Sequence, residues 1–428
     1  MKVLWICNIP LPQISRNLGI TEYSVGGWIL GFSNFLKNIP EIELHYCFPL
    51  TNIKEVITGE LDSICYYAYP AISRIKGIPI MDDLRINDKL VSSLSNIINS
   101  VKPDILHIFG TEMPHAYVAT RAFGNKDKVV VNIQGLVSVI HEHFYADLPC
   151  RVKVRYKLGD IIRGNIVQQA RRYFKRGINE VKALNNAKHV IGRTDWDKAA
   201  STQINPQLTY HFCNEILRET FYKSPKWELN KCKRYTIFFS QAWQPLKGLH
   251  YLLKALPTIL EKFPDTKVYV AGADVTNGAN FKKRLRKTSY GYYVEELIRK
   301  NNLVDNVFFT GPLTEEEMCT AFLNAHVFVS ASTIENESNS VSEAKLLGVP
   351  VVSSFVGGVT NRIEHGSSGF MYQHDATYML AHYICEIFNN DQLALKFSEE
   401  AKKNAEVVHD IQVNGNRLLN IYKEILEQ

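Results

Sequence analysis

Residues 327–358 carry the sequence pattern that most constrains the fold of this chain. A short apolar run, 327–331, is followed by a polar loop and a helical segment. A second apolar run, 349–355, then leads into Gly357 and Gly358. This succession predicts a βαβ unit, in which a ligand binds beside the carboxyl ends of the parallel strands.

Two carboxylates, Glu335 and Glu343, stand eight residues apart in the polar loop and the following helix. The helix is predicted to begin near Ser340, where free backbone N–H groups and the positive end of the helix dipole suit a phosphate. Glu343 has an alternative interpretation as the capping-box partner of Ser340. Glu335 has no comparable structural explanation, so we predict the active centre here.

Length and composition indicate a soluble two-domain protein. A chain of 428 residues can form two domains of about 200 residues each. The eight cysteines form no CxxC pair, which favours buried thiols in a reducing compartment. The N-terminus predicts a strand rather than a signal peptide, and no apolar run is long enough to span a membrane. We therefore expect a cytoplasmic location.

Alternating strand and helix signals occur in both halves of the chain. They predict two doubly wound, parallel-sheet α/β domains. We place the N-terminal domain at 1–220, the C-terminal domain at 221–400 and a final helical segment at 401–428. Residues 221–235 are polar and lysine-rich, which is typical of a linker.

Several residues of the first domain are candidate ligand contacts. Gly26 and Gly27 precede a predicted helix at 29–36, where they allow either a close ligand approach or a plain tight turn. Polar residues at or after two predicted strands are expected at one sheet edge: His107, Thr111, Glu112, His115 and Gln134. Each alone is more often structural, but a shared edge favours a role for the group.

Asp195 and Asp197 form a D-x-D motif, a spacing of carboxylates that can hold a metal. Here the motif follows Thr194 at a predicted helix start, where acidic side chains interact favourably with the helix dipole. Helix capping is therefore the preferred interpretation, and we predict no metal site.

Residues 151–182 form a basic segment, with ten lysines and arginines against Asp160 and Glu180. Two interpretations stay open. The segment could be ordinary solvated helices, or it could attract the protein to an anionic membrane surface.

The motifs as a set resemble the retaining glycosyltransferases of family 4. The resemblance rests on Lys247-Gly248, Glu335 with Glu343, Gly357-Gly358 and the run Glu-His-Gly-Ser-Ser-Gly-Phe at 364–370. Residues 334–350 are similar to bacterial members that build capsule, O-antigen or exopolysaccharide. The resemblance implies the GT-B architecture, in which two Rossmann-like domains face each other across a cleft and the final helix crosses back to the first domain.

The resemblance also implies roles for individual residues toward a nucleotide-diphosphate sugar. Glu343 would accept hydrogen bonds from the ribose hydroxyls, and Glu335 would hold a hydroxyl of the donor sugar. Lys247 would neutralise the departing diphosphate, together with the backbone N–H groups of Asn339 and Ser340. Neither a cofactor nor a metal is expected.

Two departures from the family pattern affect this assignment. Ala242 stands where many members have an arginine that grips the diphosphate, and Arg193 is a candidate replacement. Gln134 stands where a histidine is common, and glutamine can donate a hydrogen bond but cannot act as a base.

The expected partners are a UDP- or GDP-sugar and a saccharide acceptor. The acceptor is expected to be linked to a polyprenyl diphosphate lipid at the inner face of the cell membrane, and no nucleic acid is expected. Two alternatives stay open: a nucleotide-sugar epimerase of the same fold and a non-catalytic nucleotide-sugar-binding subunit. A dinucleotide dehydrogenase is disfavoured because no G-x-G-x-x-G follows the first strand.

Overall fold

The computed structural model describes residues 1–20, 27–71, 86–276 and 286–428. The chain forms two compact units. Unit 1 comprises residues 1–141, 171–218 and 409–428, and unit 2 comprises residues 142–170 and 219–408.

The described part of unit 1 is built on an eight-stranded sheet of order β3-β4-β2-β1-β5-β6-β7-β8. All neighbouring strands are parallel except β3 and β4. The strands are β1 (Lys2–Ile6), β2 (Glu43–Leu50), β3 (Ile57–Leu61), β4 (Ile64–Pro70), β5 (Ile105–Phe109), β6 (Val129–Asn132), β7 (His189–Gly192) and β8 (Thr209–Phe212).

Helices connect these strands and cover both faces of the sheet. They are α1 (Pro12–Asn17), α2 (Gly27–Leu36), α3 (Asp88–Val101), α4 (Pro114–Phe123), α5 (Val137–Ile140), α9 (Asp195–Ile204) and α17 (Ile411–Glu427). Strands β5, β6 and β7 are buried along their whole length. Continuous burial is what a parallel sheet covered on both faces requires, and it explains the short apolar runs in the sequence.

The described part of unit 2 contains a six-stranded, fully parallel sheet of order β11-β10-β9-β12-β13-β14. Its strands are β9 (Thr236–Phe239), β10 (Lys267–Ala271), β11 (Val307–Gly311), β12 (Val327–Ser330), β13 (Val351–Ser354) and β14 (Phe370–Tyr372). The order changes direction at β9 and β12, and the predicted βαβ unit supplies β12 and β13. Both units thus confirm the predicted doubly wound, Rossmann-like α/β fold.

The helices of unit 2 are α6 (Cys150–Lys153), α7 (Leu158–Arg163), α10 (Glu219–Lys223), α11 (Leu249–Lys262), α12 (Ser289–Lys300), α13 (Glu315–Asn324), α14 (Asn339–Leu347), α15 (Thr377–Asn389) and α16 (Asp391–Val408). Helix α8 (Ile166–Asn185) contains the boundary between the two units, which falls after Ala170. Among the described residues, no helix has the length and hydropathy that a membrane span requires.

The compact units differ from the ranges drawn from the sequence, because residues 142–170 belong to unit 2. Side-chain contacts explain this. The carboxylate of Asp160 accepts a hydrogen bond from the Ser289 backbone N–H at 3.1 Å. Arg151 pairs with Glu296 at 2.6 Å. Composition does not reveal such partners, since they lie more than a hundred residues away in the sequence.

The polar stretch 221–235, predicted as a linker, is part of unit 2. Trp227 is buried, and its indole N–H donates to the Ala325 carbonyl at 2.7 Å. Its backbone N–H donates to the Leu347 carbonyl at 2.8 Å. Through Trp227, the stretch predicted as a linker packs against the rest of unit 2.

The last helix, α17, belongs to unit 1. Tyr422 is fully buried there, and its hydroxyl accepts from the Trp5 indole N–H at 2.9 Å. No disulfide joins the eight cysteines, all of which lie in the described residues, and six of them are buried.

Candidate functional site

An ion pair between Lys247 and Glu335 lies at a polar cavity of unit 2. The Lys247 Nζ is 2.6 Å from Glu335 Oε1, and the two side chains are 28% and 12% exposed. Ser332 Oγ donates to the same carboxylate oxygen at 2.7 Å. The cavity has a volume of about 190 Å³ and contacts all three residues. The structure thus brings together the two residues to which the sequence assigned catalytic roles, 88 positions apart.

Lys247 is placed by a short 3-10 turn, Pro245–Lys247, that ends at Gly248. Gly248 has a φ of +74°, and a Cβ built there would lie 1.8 Å from the Ala331 carbonyl oxygen. Only glycine fits so close to the end of β12 with this backbone conformation.

Glu335 is placed by the glycine turn after β13. The Gly358 N–H donates to the Glu335 carbonyl at 3.1 Å. A Cβ at Gly357, which has a φ of +48°, would lie 1.9 Å from that same carbonyl oxygen. The Gly-Gly pair therefore packs directly against the backbone of the proposed catalytic carboxylate.

The N-terminus of α14 forms another wall of the cavity, through Ser338, Asn339 and Ser340. The helix begins at Asn339, and Ser338 is its N-cap residue without a side-chain capping bond. The first N–H groups of a helix have no partner within it, and they carry partial positive charge. This wall is suited to an anionic oxygen.

The structure corrects the capping alternative for Glu343. Because the helix begins at Asn339 rather than after Ser340, Ser340 is inside the first turn and is not the N-cap residue. Glu343 is buried one turn further along, at 5% exposure. Among the described residues, the cavity lining on this helix ends at Ser340. The predicted contact of Glu343 with ribose stays a prediction.

A buried charged cluster behind the cavity was missed by the sequence reasoning. Glu337 contacts the cavity, but its side chain is completely buried and its Oε1 is 2.5 Å from Arg362 Nε. The Arg362 carbonyl accepts from Lys345 Nζ, which also donates to Asn404 at 2.6 Å. Burial, with the nearby Arg362 charge, lowers the pKa of Lys345 to about 7. The ion pair between Glu337 and Arg362 thus fixes the loop that follows Glu335.

Other cavity residues are polar residues at the carboxyl ends of strands, a position that the sequence pattern already indicates. Ser240 and Gln241 follow β9, and Ser330 and Ser332 lie at the end of β12. Polar residues at the carboxyl ends of parallel strands are candidate ligand contacts. Ala242 itself is buried at 2% exposure, so no charge stands at the position of the family arginine.

A larger cavity of about 380 Å³ in unit 2 does not coincide with this site. It lies between α13 and strands β9, β10 and β11, with Phe238, Tyr269 and Leu313 in its walls. None of the predicted site residues lines it, and its mainly apolar walls do not suit a phosphate. The smaller, charged cavity is therefore the candidate site.

In unit 1, two histidines predicted at a sheet edge are buried instead. His107 is inside β5 at 0% exposure, with Nδ1 2.5 Å from the Tyr422 hydroxyl. His115 is inside α4 at 4% exposure. Burial lowers the pKa of His107 to about 3 and that of His115 to about 4. His107 belongs to the core because β5 is covered on both faces, and His115 is on the buried side of α4.

Glu112 and Gln134 are partly exposed in unit 1. Glu112 accepts from the Asn8 side chain at 2.5 Å, and burial raises the pKa of its carboxyl group. The Gln134 amide donates to the Asn132 side chain at 2.7 Å. Their predicted contacts with acceptor or sugar stay predictions.

Arg193 does not offer a charge at a surface of unit 1. It is 2% exposed, and its guanidinium lies 2.8 Å from Glu215 and donates to the Ile133 carbonyl at 2.9 Å. A buried arginine paired in this way costs much free energy to detach. Burial and pairing oppose its predicted role as a replacement for the missing family arginine, and that role stays a prediction.

Gly27 begins α2, two residues before the predicted helix start, and a Cβ there would lie 2.0 Å from the Arg218 side chain. The space beside Gly27 is thus occupied by Arg218, which belongs to the same unit. Gly26 lies outside the described residues.

The D-x-D motif is a helix cap. Thr194 Oγ1 accepts from the Asp197 N–H at 3.1 Å, and Asp197 accepts from the Thr194 N–H at 3.4 Å. Asp197 also accepts from the Tyr210 hydroxyl at 2.6 Å. The predicted capping role is confirmed.

We expect the buried His107 to make stability depend on pH. An unfolded histidine has a pKa of about 6.5, whereas burial lowers the pKa of folded His107 to about 3. Between these values the unfolded chain binds one proton more, so the free energy of unfolding falls as pH falls, by about 1.4 kcal/mol per pH unit. Urea unfolding of wild type and His107→Phe at several pH values should show a shallower slope for the variant. An unchanged slope would contradict this, and His382→Phe, at an exposed position, is the control.

Comparisons with known proteins agree with the geometry of unit 2. Residues 223–404 match the family described as Glycosyl transferases group 1. Residues 223–404 are thus similar to the group 1 glycosyltransferases. D-inositol 3-phosphate glycosyltransferase of Corynebacterium urealyticum is 26% identical over 184 residues, which are 42% of this chain and 41% of that protein. The putative glycosyltransferase YtcC of Bacillus subtilis is 24% identical over 192 residues, 44% of this chain and 45% of that protein. The chain thus spans less than half the length of these curated relatives.

Solved structures of the GT-B type resemble the whole chain. Sucrose-phosphate synthase of Thermosynechococcus elongatus has a TM-score of 0.71 at 14% identity, with 100% of both chains covered. Anabaena HepE in complex with UDP and glucose has a TM-score of 0.66 at 16% identity, covering 99% of this chain and 100% of that chain. At these identities the likeness establishes the fold alone.

Proposed function

We propose that this protein is a retaining glycosyltransferase that moves a sugar from a nucleotide-diphosphate sugar to a saccharide acceptor. The observation that carries the proposal is the Lys247 and Glu335 ion pair at a cavity bordered by the N-terminus of α14. A cation, a carboxylate and helix N–H groups match the diphosphate and the hydroxyl groups of such a donor.

The anionic donor would draw Lys247 away from Glu335. Its ammonium group would then neutralise the diphosphate, while the N–H groups of Asn339 and Ser340 donate to phosphate oxygens. The freed Glu335 carboxylate would accept from a hydroxyl of the donor sugar. Stabilising charge that develops on a leaving group is the largest electrostatic task in such a reaction.

In the proposed reaction the anomeric C–O bond breaks, and the diphosphate leaves with the bonding electrons. The acceptor hydroxyl oxygen bonds to the anomeric carbon on the same face, and its proton passes to a phosphate oxygen. This route preserves the anomeric configuration. It needs no protein base, in keeping with Gln134, and the proposal includes no metal cofactor.

The donor class is proposed as a UDP- or GDP-sugar, and UDP has the support of HepE, which was solved with UDP-glucose. The acceptor is proposed to be a lipid-linked saccharide used in bacterial surface polysaccharide synthesis, at the inner face of the cell membrane. A thermal-shift screen of UDP-, GDP- and ADP-sugars tests the donor class. Stabilisation by none of them would contradict the proposal.

We expect Glu335→Gln to separate nucleotide binding from turnover. Glutamine keeps the shape of the side chain but loses its charge, so donor cleavage should fall by about a hundredfold or more. The affinity for the bare nucleotide should stay close to that of wild type, because Glu335 is assigned to the sugar. Release of nucleoside diphosphate and calorimetric binding measure the two quantities. Glu399→Gln, on the exposed side of α16, is the control. Wild-type turnover in Glu335→Gln would remove the assignment.

A further inference from the structure

Four large apolar side chains are exposed within eight residues of unit 2. Val154, Tyr156, Leu158 and Ile161 are 70%, 52%, 60% and 53% exposed. Single exposed apolar residues are common, but a cluster on one short stretch marks an interaction surface. We refer to residues 150–161 as the docking segment.

The contacts of the docking segment with the rest of unit 2 explain why these side chains point outward. Val152 is fully buried, and the Asp160 carboxylate accepts from the Ser289 N–H. Gly159 packs so closely that a Cβ there would lie 2.4 Å from the Arg286 carbonyl oxygen. These residues turn one side of the segment inward. Leu158 and Ile161 are three positions apart on α7 and therefore share its other side.

Basic residues alternate with the exposed apolar ones: Arg151, Lys153, Arg155 and Lys157. The one acidic residue of the segment, Asp160, is buried and bonded to the Ser289 N–H. Glu296 pairs with Arg151 at 2.6 Å and lies 3.9 Å from Arg155. Glu296 thus pairs with two of the four cations, and the exposed side chains of the segment itself carry only positive charge.

We propose that the docking segment binds the surface of an anionic phospholipid bilayer. Its basic side chains would lie among the lipid phosphates, and Val154, Leu158 and Ile161 would enter the boundary between headgroups and acyl chains. An acidic polysaccharide would complement the charges but would leave this apolar cluster in water. A bilayer satisfies both features.

This inference deepens the proposed function by locating the surface that would bring the enzyme to a lipid-linked acceptor, and it rests on that function only for the identity of the acceptor. Only about the first third of the basic segment 151–182 belongs to the proposed membrane-binding surface. Residues 171–182 belong to unit 1.

The test is co-sedimentation of the full chain with lipid vesicles at low salt. We expect binding to vesicles of phosphatidylglycerol and phosphatidylcholine in equal parts, and at least about tenfold weaker binding to phosphatidylcholine alone. Added salt should weaken the binding, since it screens exposed charges. Absence of binding at low salt, or equal binding to both vesicles, would overturn the proposal.

Variants separate the apolar from the charged contribution. Val154→Ser/Leu158→Ser/Ile161→Ser should weaken binding to the anionic vesicles by at least about tenfold. Lys153→Gln/Lys157→Gln should weaken it by roughly thirtyfold at low salt and reduce its salt dependence. The matched controls are Val304→Ser/Leu395→Ser/Val407→Ser and Lys262→Gln/Lys403→Gln, at exposed positions elsewhere in unit 2. Wild-type affinity in the triple serine variant would show that charge alone is responsible, which contradicts the proposal.

Calorimetric titration with UDP distinguishes a failure of the membrane-binding proposal from a failure of the proposed function. The docking variants are expected to bind UDP like wild type, because they lie outside the Lys247 cavity. Loss of UDP binding in wild type would count against the donor site and leave the vesicle result intact. Loss of UDP binding in the docking variants alone would show that these substitutions disturb the fold of unit 2. Vesicle binding by the single variants Lys153→Gln and Lys157→Gln would then test the proposal.

Discussion

Lys247→Ala is expected to lower the rate of donor cleavage by between about a hundredfold and a thousandfold, because it removes the cation assigned to the leaving diphosphate. The pair with Glu335 is partly exposed, at 28% and 12% for the two side chains. A pair of this kind contributes only about 1 kcal/mol or less to stability. The variant should therefore fold normally, and kcat should fall more than the affinity for the donor.

Steady-state release of nucleoside diphosphate and thermal unfolding measure the two effects. Lys300→Ala, at the exposed end of α12, is the matched control and should behave as wild type. Lys247→Arg should recover part of the activity, because it restores the charge with a different shape. Equal activity of Lys247→Ala and wild type would exclude Lys247 from the reaction.

Gly357→Ala is expected to damage both the fold and the site. The new methyl group would lie 1.9 Å from the Glu335 carbonyl oxygen, in a backbone conformation with φ of +48°. Backbone atoms cannot yield as the end of a flexible side chain can. We expect a loss of roughly 3 kcal/mol in the free energy of unfolding, from strain and overpacking together. A displaced Glu335 should also reduce turnover by about a hundredfold.

Gly366→Ala separates the effect of backbone strain from that of steric overlap with the Glu335 carbonyl oxygen. Gly366 has a φ of +80°, but nothing lies within 4 Å of the position of its added Cβ. This control should cost only about 1 kcal/mol, which is the strain of the left-handed conformation. Chemical denaturation of both variants and nucleotide release provide the comparison. Equal losses of stability would mean that the contact with Glu335 contributes nothing.

Elements with strong local patterns were predicted accurately. The strands around 327–330 and 351–354 and the helix from Gly27 to Leu36 have the expected positions. Continuous β-branched and aromatic runs mark buried parallel strands, and helix ends are set by nearby glycines and capping residues. These signals lie within a few residues of the element itself.

Errors arose where a residue's role depends on distant partners. His107 follows the pattern of an edge residue, but Tyr422, 315 positions away, covers it. Arg193 is neutralised by Glu215 inside the core. The Glu337, Arg362 and Lys345 cluster escaped notice because its members are unremarkable in sequence, and the ion pair that defines it joins residues 25 positions apart.

The amino-acid sequence by itself determined the fold class and the residue types of the candidate site. Local hydrophobic patterns specify strands and helices, and Lys247, Glu335 and the glycine turn are residue types that suit phosphate and sugar groups. Only the tertiary structure decided which charges remain available. It paired Lys247 with Glu335, buried His107 and Arg193, and left Val154, Leu158 and Ile161 exposed on unit 2. Burial and pairing depend on contacts between segments far apart in the chain, which no local pattern contains.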